Sequence, residues 1–166
     1  MKYIKLILPI LFACLTTSAQ LVVQVYDGDT YKILDKGKFT IIRLANVDAP
    51  ELSQYYGKVV KAAVSKLILA RIVKLDVITK DPFGRTIANV SIDNMNLDSL
   101  LIARGWAWHY LPYSYHPYLS MYEIKAIKAG VGMWRCKRNT PPWVWRKLDK
   151  KNKNGVMKCA AEHFNY

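Results

Sequence analysis

Three acids and two arginines stand out in this chain for the chemistry that their types and spacing allow. Asp29 follows the turn pair Asp27-Gly28, while Asp48 and Glu51 bracket Ala49-Pro50. Pro50 biases Ala49 toward an extended backbone and denies this loop a helical start. The Ala49 carbonyl can then point at a bound ion. Two carboxylates and a carbonyl are hard oxygen donors, suited to Ca²⁺ or Mg²⁺ rather than zinc. So sparse a set leaves water positions open and predicts weak affinity, roughly 10⁻⁴–10⁻³ M. Arg43 and Arg85 carry planar guanidinium forks that match the non-bridging oxygens of a phosphodiester and stay protonated while charge builds there. Singly, each acid reads as a turn residue and each arginine as a solvated strand residue. Together they suggest a phosphate site beside a divalent ion. His109, His116 and His163 are scattered, away from any Cys or carboxylate cluster, which argues against a zinc or histidine-based centre.

The elements that would have to position these residues follow from periodicity. Leu21 to Tyr26 is apolar and β-branched; Thr30 to Leu34 and Phe39 to Leu44 flank Asp35-Lys36-Gly37-Lys38 as a hairpin. From Gly57 to Ala70 the period becomes helical, with Val60, Val64, Leu67 and Ile68 on one face. Arg71 to Thr79 alternates again, with Val73, Leu75 and Val77 expected inward. Asp81-Pro82-Phe83-Gly84 is a turn, and Arg85 opens a fifth strand that ends at Ile92. Asn96 can cap a helix from Leu97 to Arg104, and Pro117 can start another that runs to Ala129. Five strands with a helix between the third and fourth match an α+β chain built as a five-stranded OB-fold β-barrel with about three helices. Periodicity alone does not close the barrel, and that step also rests on the chain's motifs taken together. Arg43 late in the third strand and Arg85 at the fifth can then face the barrel end that carries the acids.

The chain has 166 residues, enough for one compact domain, and 25 Lys and Arg against 12 Asp and Glu give it a formal charge of +13. That surplus favours a polyanionic partner, whether nucleic acid, acidic lipid or acidic polysaccharide, although much of it sits between Lys147 and Lys158. Lys2 and Lys5, an apolar run from Ile4 to Cys14, and Thr17 and Ala19 before Gln20 form an export signal too short to span a bilayer. Leu11-Phe12-Ala13-Cys14 loosely resembles a lipobox, which would lipidate Cys14 and attach the protein to a membrane. Phe12 is bulky for that motif, so soluble export to the periplasm or medium is the preferred reading. The chain therefore divides into a signal peptide at 1–19, a folded domain at 20–135 and a basic extension at 136–166. Export leaves Cys136 and Cys159, a pair expected to form a disulfide in an oxidising compartment.

Five pieces of the chain, taken in register, resemble the staphylococcal (thermonuclease-type) nucleases. They are Asp27-Gly28-Asp29-Thr30, Arg43-Leu44, Val47-Asp48-Ala49-Pro50-Glu51, Gly57-Lys58 and Asp81-Pro82-Phe83-Gly84-Arg85. The likeness continues through Ala103-Arg104-Gly105-Trp106-Ala107 and Gly132-Met133-Trp134, so it spans about residues 21–135. It implies that Asp29 and Asp48 bind Ca²⁺ with the Ala49 carbonyl, and that Glu51 is the general base or orients the attacking water. It also implies that Arg43 and Arg85 hold the phosphate, and that DNA and RNA are cut to leave 3′-phosphate ends. Tyr113, then Tyr110, are the aromatic residues expected to line a nucleotide site. This chain departs from the family at Phe83, where tyrosine is frequent, at Pro82, where lysine is common, and at Ala49, where threonine is usual. Two other readings compete: a catalytically silent nucleic-acid-binding OB module, and a lipid-anchored envelope protein whose tail touches anionic membrane. Arg43, Glu51 and Arg85 are all present, which a silent module would not need. No stable protein partner is expected.

Overall fold

The computed structural model describes residues 20–136 and 139–156; the side chains of Tyr113 and of residues 154–156 also lie outside the description. The predicted signal at 1–19, with Cys14, and the predicted disulfide partner Cys159 fall outside the described residues.

Three strands form an antiparallel meander: β1 (Gln20–Val25), β2 (Thr30–Asp35) and β3 (Lys38–Leu44). The β2–β3 turn places Lys36 and Gly37 at φ 49° and 76°, the twist that a two-residue hairpin loop demands. After the two-residue strand β4 (Val47–Asp48) comes helix α1 (Gly57–Ile68), then strands β5 (Ile72–Lys80) and β6 (Thr86–Ile92). β5 pairs antiparallel with both β1 and β6, and β6 runs parallel to β3. That last pairing closes five strands into the barrel expected of an OB-fold. Val22, Tyr31, Ile33, Ile42, Leu44, Ala88, Val90 and Ile92 fill its interior, and Val60, Val64 and Ile68 are the buried face of α1. Each fully buried aliphatic side chain contributes about 1.5–3 kcal/mol relative to exposure.

The chain continues through β7 (Met95–Asn96), α2 (Leu97–Ala103), β8 (Trp108–His109) and α3 (Pro117–Ala129). Asn96 caps α2 as expected, its side chain accepting a hydrogen bond from the Ser99 amide at 2.9 Å. Two short helices not foreseen in the sequence follow, α4 (Pro142–Trp145) and α5 (Lys150–Val156). Among the described residues, no helix is long and apolar enough to cross a membrane.

Two local expectations fail. Val77 is not buried; it is 59% exposed. It pairs in register with buried Ala88, as the alternation requires, but β5 is exposed from Asp76 to Lys80, so this end of the strand has nothing packed over it. Arg85 does not open the fifth barrel strand, because β6 starts at Thr86 and Arg85 closes the preceding turn. Its amide and side chain are claimed by Asp81 instead of by the strand ladder.

Candidate active site

The acids converge because three short segments interlock at the rim of the barrel. Asp27 folds the β1–β2 turn: its Oδ1 accepts from the amides of Asp29 (3.0 Å) and Thr30 (2.8 Å), an Asx turn that presents Asp29 at the start of β2. The register pairs Thr30 with Arg43, so Asp29 lies beside the end of β3. Its Oδ2 accepts from the Ala49 amide at 2.6 Å, which ties the turn to the loop carrying the other acids. Gly28 permits this approach. A Cβ there would sit 2.5 Å from the Ala49 Cβ and 2.7 Å from a Val60 methyl.

Asp48 is set by backbone pairing, since β4 and β8 match it with Trp108, and the Tyr110 amide donates to the Asn46 carbonyl at 2.9 Å. Glu51 sits in a turn braced by Gln54. The Gln54 side chain accepts from the Glu51 amide at 2.8 Å, and the Gln54 amide donates back to the Glu51 carbonyl at 2.8 Å. A Cβ on Gly57 would collide with that same carbonyl, so only glycine lets α1 begin there.

Arg43 lies between the two buried carboxylates, pairing through Nη1 with Asp29 and through Nη2 with Asp48 Oδ1 at 2.9 Å. Asp29 and Asp48 are only 4% and 1% exposed. Burial pushes the Asp48 carboxyl up, opposed by Arg146 and Arg43 and reinforced by Asp29. Burial and the neighbouring Asp29 push Asp27 up to about 7. Burial works against the Arg43 charge, but Asp29 and Asp48 outweigh it and hold the guanidinium above its usual value. The rim is thus crowded with negative charge in a dry setting, which only cations relieve.

Arg85 reaches the site from the β5–β6 turn. The parallel register sets Arg43 beside Ile87, and Arg85, in the turn just before β6, lines the same cleft as both. Asp81 organises this turn, accepting from the amides of Phe83 and Arg85 at 2.9 Å each and from Arg85 Nε at 2.7 Å. The Arg85 guanidinium lies 5.7 Å from the centre of the Phe83 ring, itself 84% exposed.

One cleft of about 710 Å³ is lined by Asp29, Arg43, Asp48, Ala49, Glu51 and Arg85, and also by Tyr110. Every acid and arginine singled out in the sequence therefore opens onto the same space. Tyr113 belongs to a 3-10 turn (Leu111–Tyr113), but its side chain lies outside the description. Cys136 is buried and disulfide-bonded. Trp108 is buried edge-on against Trp134, with ring centroids 5.3 Å apart, as packing and not as a base platform. Sequence reasoning missed Arg146, whose Nη2 donates to Asp48 Oδ2 at 2.7 Å and whose Nη1 donates to Glu51 Oε1 at 2.8 Å. The available signal was the neighbouring Trp143 and Trp145 after Pro141-Pro142, since tryptophans in a basic tail imply that the tail packs.

An OB barrel with carboxylates and arginines gathered in one rim cleft suits a ligand that carries phosphate, and comparison with known proteins gives the family. Residues 41–136 match the model of the staphylococcal nuclease homologue family. A protein of Escherichia coli O157:H7 named "Uncharacterized endonuclease" is 34% identical over 149 residues, covering 87% of this chain and 97% of that protein. One of the same name in Haemophilus influenzae is 36% identical over 132 residues, covering 79% of this chain and 74% of that protein. The "Probable staphylococcal-like nuclease CAN1" of Oryza sativa subsp. japonica is 35% identical over 111 residues, 67% of this chain and 33% of the plant protein. The chain belongs to the staphylococcal nuclease homologue family and is a nuclease, a phosphodiester hydrolase acting on nucleic acid.

Proposed function

We propose that this nuclease is an exported, Ca²⁺-dependent enzyme that cuts DNA and RNA and leaves 3′-phosphate ends. The observation that carries this reading is the convergence of Asp29, Arg43, Asp48, Ala49, Glu51 and Arg85 on one cleft. The donor set fits a hard divalent cation: two buried carboxylates lie on either side of one guanidinium, and burial already resists the negative charge of Asp48. Asp29, Asp48 and the Ala49 carbonyl would hold it. Among the described residues no group of three or more His, Cys, Asp or Glu side chains forms a metal centre, so water must complete the shell and binding is weak. When bound, the ion supplies Lewis-acid polarisation and a fixed orientation for the phosphate.

The chain's own groups divide the remaining work. Arg43 and Arg85 grip the non-bridging oxygens and stabilise the charge that builds on them. Glu51, more exposed than Asp48, takes the proton of the attacking water. Attack in line with the 5′ oxygen requires no 2′-hydroxyl, which suits DNA and RNA alike. Residues 1–19 act as a cleaved export signal ahead of the nuclease domain at 20–135 and the basic extension at 136–166. The mass of the mature N-terminus separates cleavage before Gln20 from lipidation at Cys14.

The test is digestion of single-stranded DNA and of RNA, each with Ca²⁺ or with EGTA, followed by end-group analysis. Cleavage with Ca²⁺, 3′-phosphate ends and arrest by EGTA are expected. Undiminished digestion in EGTA removes the metal assignment. Glu51→Gln should lower kcat by about 10²–10⁴.

A further inference from the structure

The segment beyond Cys136 puts a guanidinium into the cleft that the mechanism above does not use. Pro141 and Pro142 start α4, and the helix delivers Trp145 into a buried seat where its Nε1 donates to Ser53 Oγ at 3.1 Å. Gln54, which braces Glu51, also donates through Nε2 to the Thr140 carbonyl at 2.7 Å. Trp143 packs on Tyr110, with ring centroids 5.6 Å apart. Arg146 follows this anchor directly. Its fork spans Asp48 and Glu51, with Nη1 also 3.3 Å from Asp48 Oδ1.

We propose that Arg146 is a positioning residue with two stations: it holds Asp48 and Glu51 while no divalent cation is bound, and it turns to a substrate phosphate once the cation takes the Asp48 oxygens. The inference rests on the proposed function and deepens it. Arg43 already holds Asp48 Oδ1 and Arg146 contacts both Asp48 oxygens, so a cation at this carboxylate meets two guanidiniums, and like charges that close repel. Arg43 sits deeper, between Asp29 and Asp48 with 13% of its side chain exposed, whereas 46% of the Arg146 side chain is exposed. Arg146 is therefore the arginine that can leave. The Trp145 anchor keeps the released fork at the cleft, where a nucleic-acid phosphate is the matching anion. The same fork also contacts Glu51, the proposed base, so its departure would free that carboxylate as well.

The experiment compares wild type, Arg146→Gln and Arg146→Lys as full-length proteins, with near-UV circular dichroism to verify the fold. Calorimetric titration with CaCl₂ alone, without nucleic acid, reads the first station. Arg146→Gln should bind Ca²⁺ roughly three- to tenfold more tightly, because its competitor is gone. Steady-state cleavage of single-stranded DNA reads the second. KM should rise several-fold with a smaller change in kcat, and the slope of log affinity against log salt should fall by about 0.7. Arg146→Lys keeps the charge without the fork and should fall between the two on both readouts. If Arg146→Gln does not fold, Arg146→Lys carries both readouts. Unchanged or weaker Ca²⁺ affinity in the glutamine variant, with wild type binding normally, overturns the proposal. An unchanged KM likewise overturns the second station. A wild type that takes up no Ca²⁺ instead defeats the metal assignment, and the proposal falls with it.

Discussion

The two walls of the cleft are built on opposite plans. The acid wall joins the β1–β2 turn, the end of β3 and the loop from Asn46 to Glu51 by bonds between residues far apart in sequence, such as Ala49 to Asp29. The facing β5–β6 turn is held by Asp81 within its own five residues and leaves Phe83 in solvent. Arg43 and Arg85 have one chemistry but live in these different settings. The first is wedged between buried carboxylates, and the second is paired with a local acid at the surface. A long-range, dry wall fixes position at a cost in charge burial, while a local turn leaves its arginine free to adjust to substrate.

The largest expected effect follows from removing the wedged arginine. Arg43→Ala leaves Asp29 and Asp48 buried beside each other without the cation between them. Unfolding by urea should show a loss of about 3–5 kcal/mol, the usual cost of breaking a buried ion pair. Cleavage should fall by at least about 10²–10³, the scale of one transition-state donor. A variant that keeps wild-type stability would mean that the acid wall does not depend on this residue, and the contrast would collapse.

Arg85→Ala sharpens the same contrast from the other side. Turnover should drop by about 10²–10³, the scale of one transition-state donor. Stability should change by less than about 1 kcal/mol, because the lost pair with Asp81 is local and partly solvated. A large stability loss here would show that the turn supports the barrel as the acid wall does.

The strands were legible in the sequence because they alternate and their turns carry Gly, Pro and Asp at the required positions, but their closure into a barrel was legible only through the family motifs in register. The site was legible only in combination: each acid alone reads as a turn residue, as the Asx turn of Asp27 shows, and the five motifs in register are what mark the acids as a site. What escaped was non-local. Val77 keeps the alternation of Val73 and Leu75 and pairs with buried Ala88, yet β5 is exposed from Asp76 to Lys80, and no pattern within β5 records where its cover ends. Arg146 lies 98 residues from Asp48, in a tail whose lysines mask its packing tryptophans. Asp98 reads as an ordinary first-turn acid of α2, yet it is fully buried and bonded to Asn46 at 2.7 Å.

Asp98 also gives the smallest and most specific test of the contrast, through pH. On the turn, burial opposes ionisation of Asp81, but hydrogen bonds from Arg85 and Phe83 prevail and hold its carboxyl below the usual range. Beneath the acid wall, burial prevails and pushes Asp98 up to about 6, against the Asn46 hydrogen bond and the Arg43 charge. An unfolded Asp ionises near 3.9. Between roughly pH 4 and pH 6 the folded chain therefore holds a proton that the unfolded chain has released, and stability contributed by Asp98 falls as pH rises through this window. The free energy lost across it is about 2–3 kcal/mol. Asp98→Asn cannot ionise, so its stability relative to wild type should climb by about that amount from pH 4 to pH 7 in paired urea titrations. Asp27 and Asp48 titrate in both proteins and largely cancel in the difference. Parallel stability curves would mean that Asp98 ionises as easily inside the fold as in water, and that the dry wall is less dry than its burial implies.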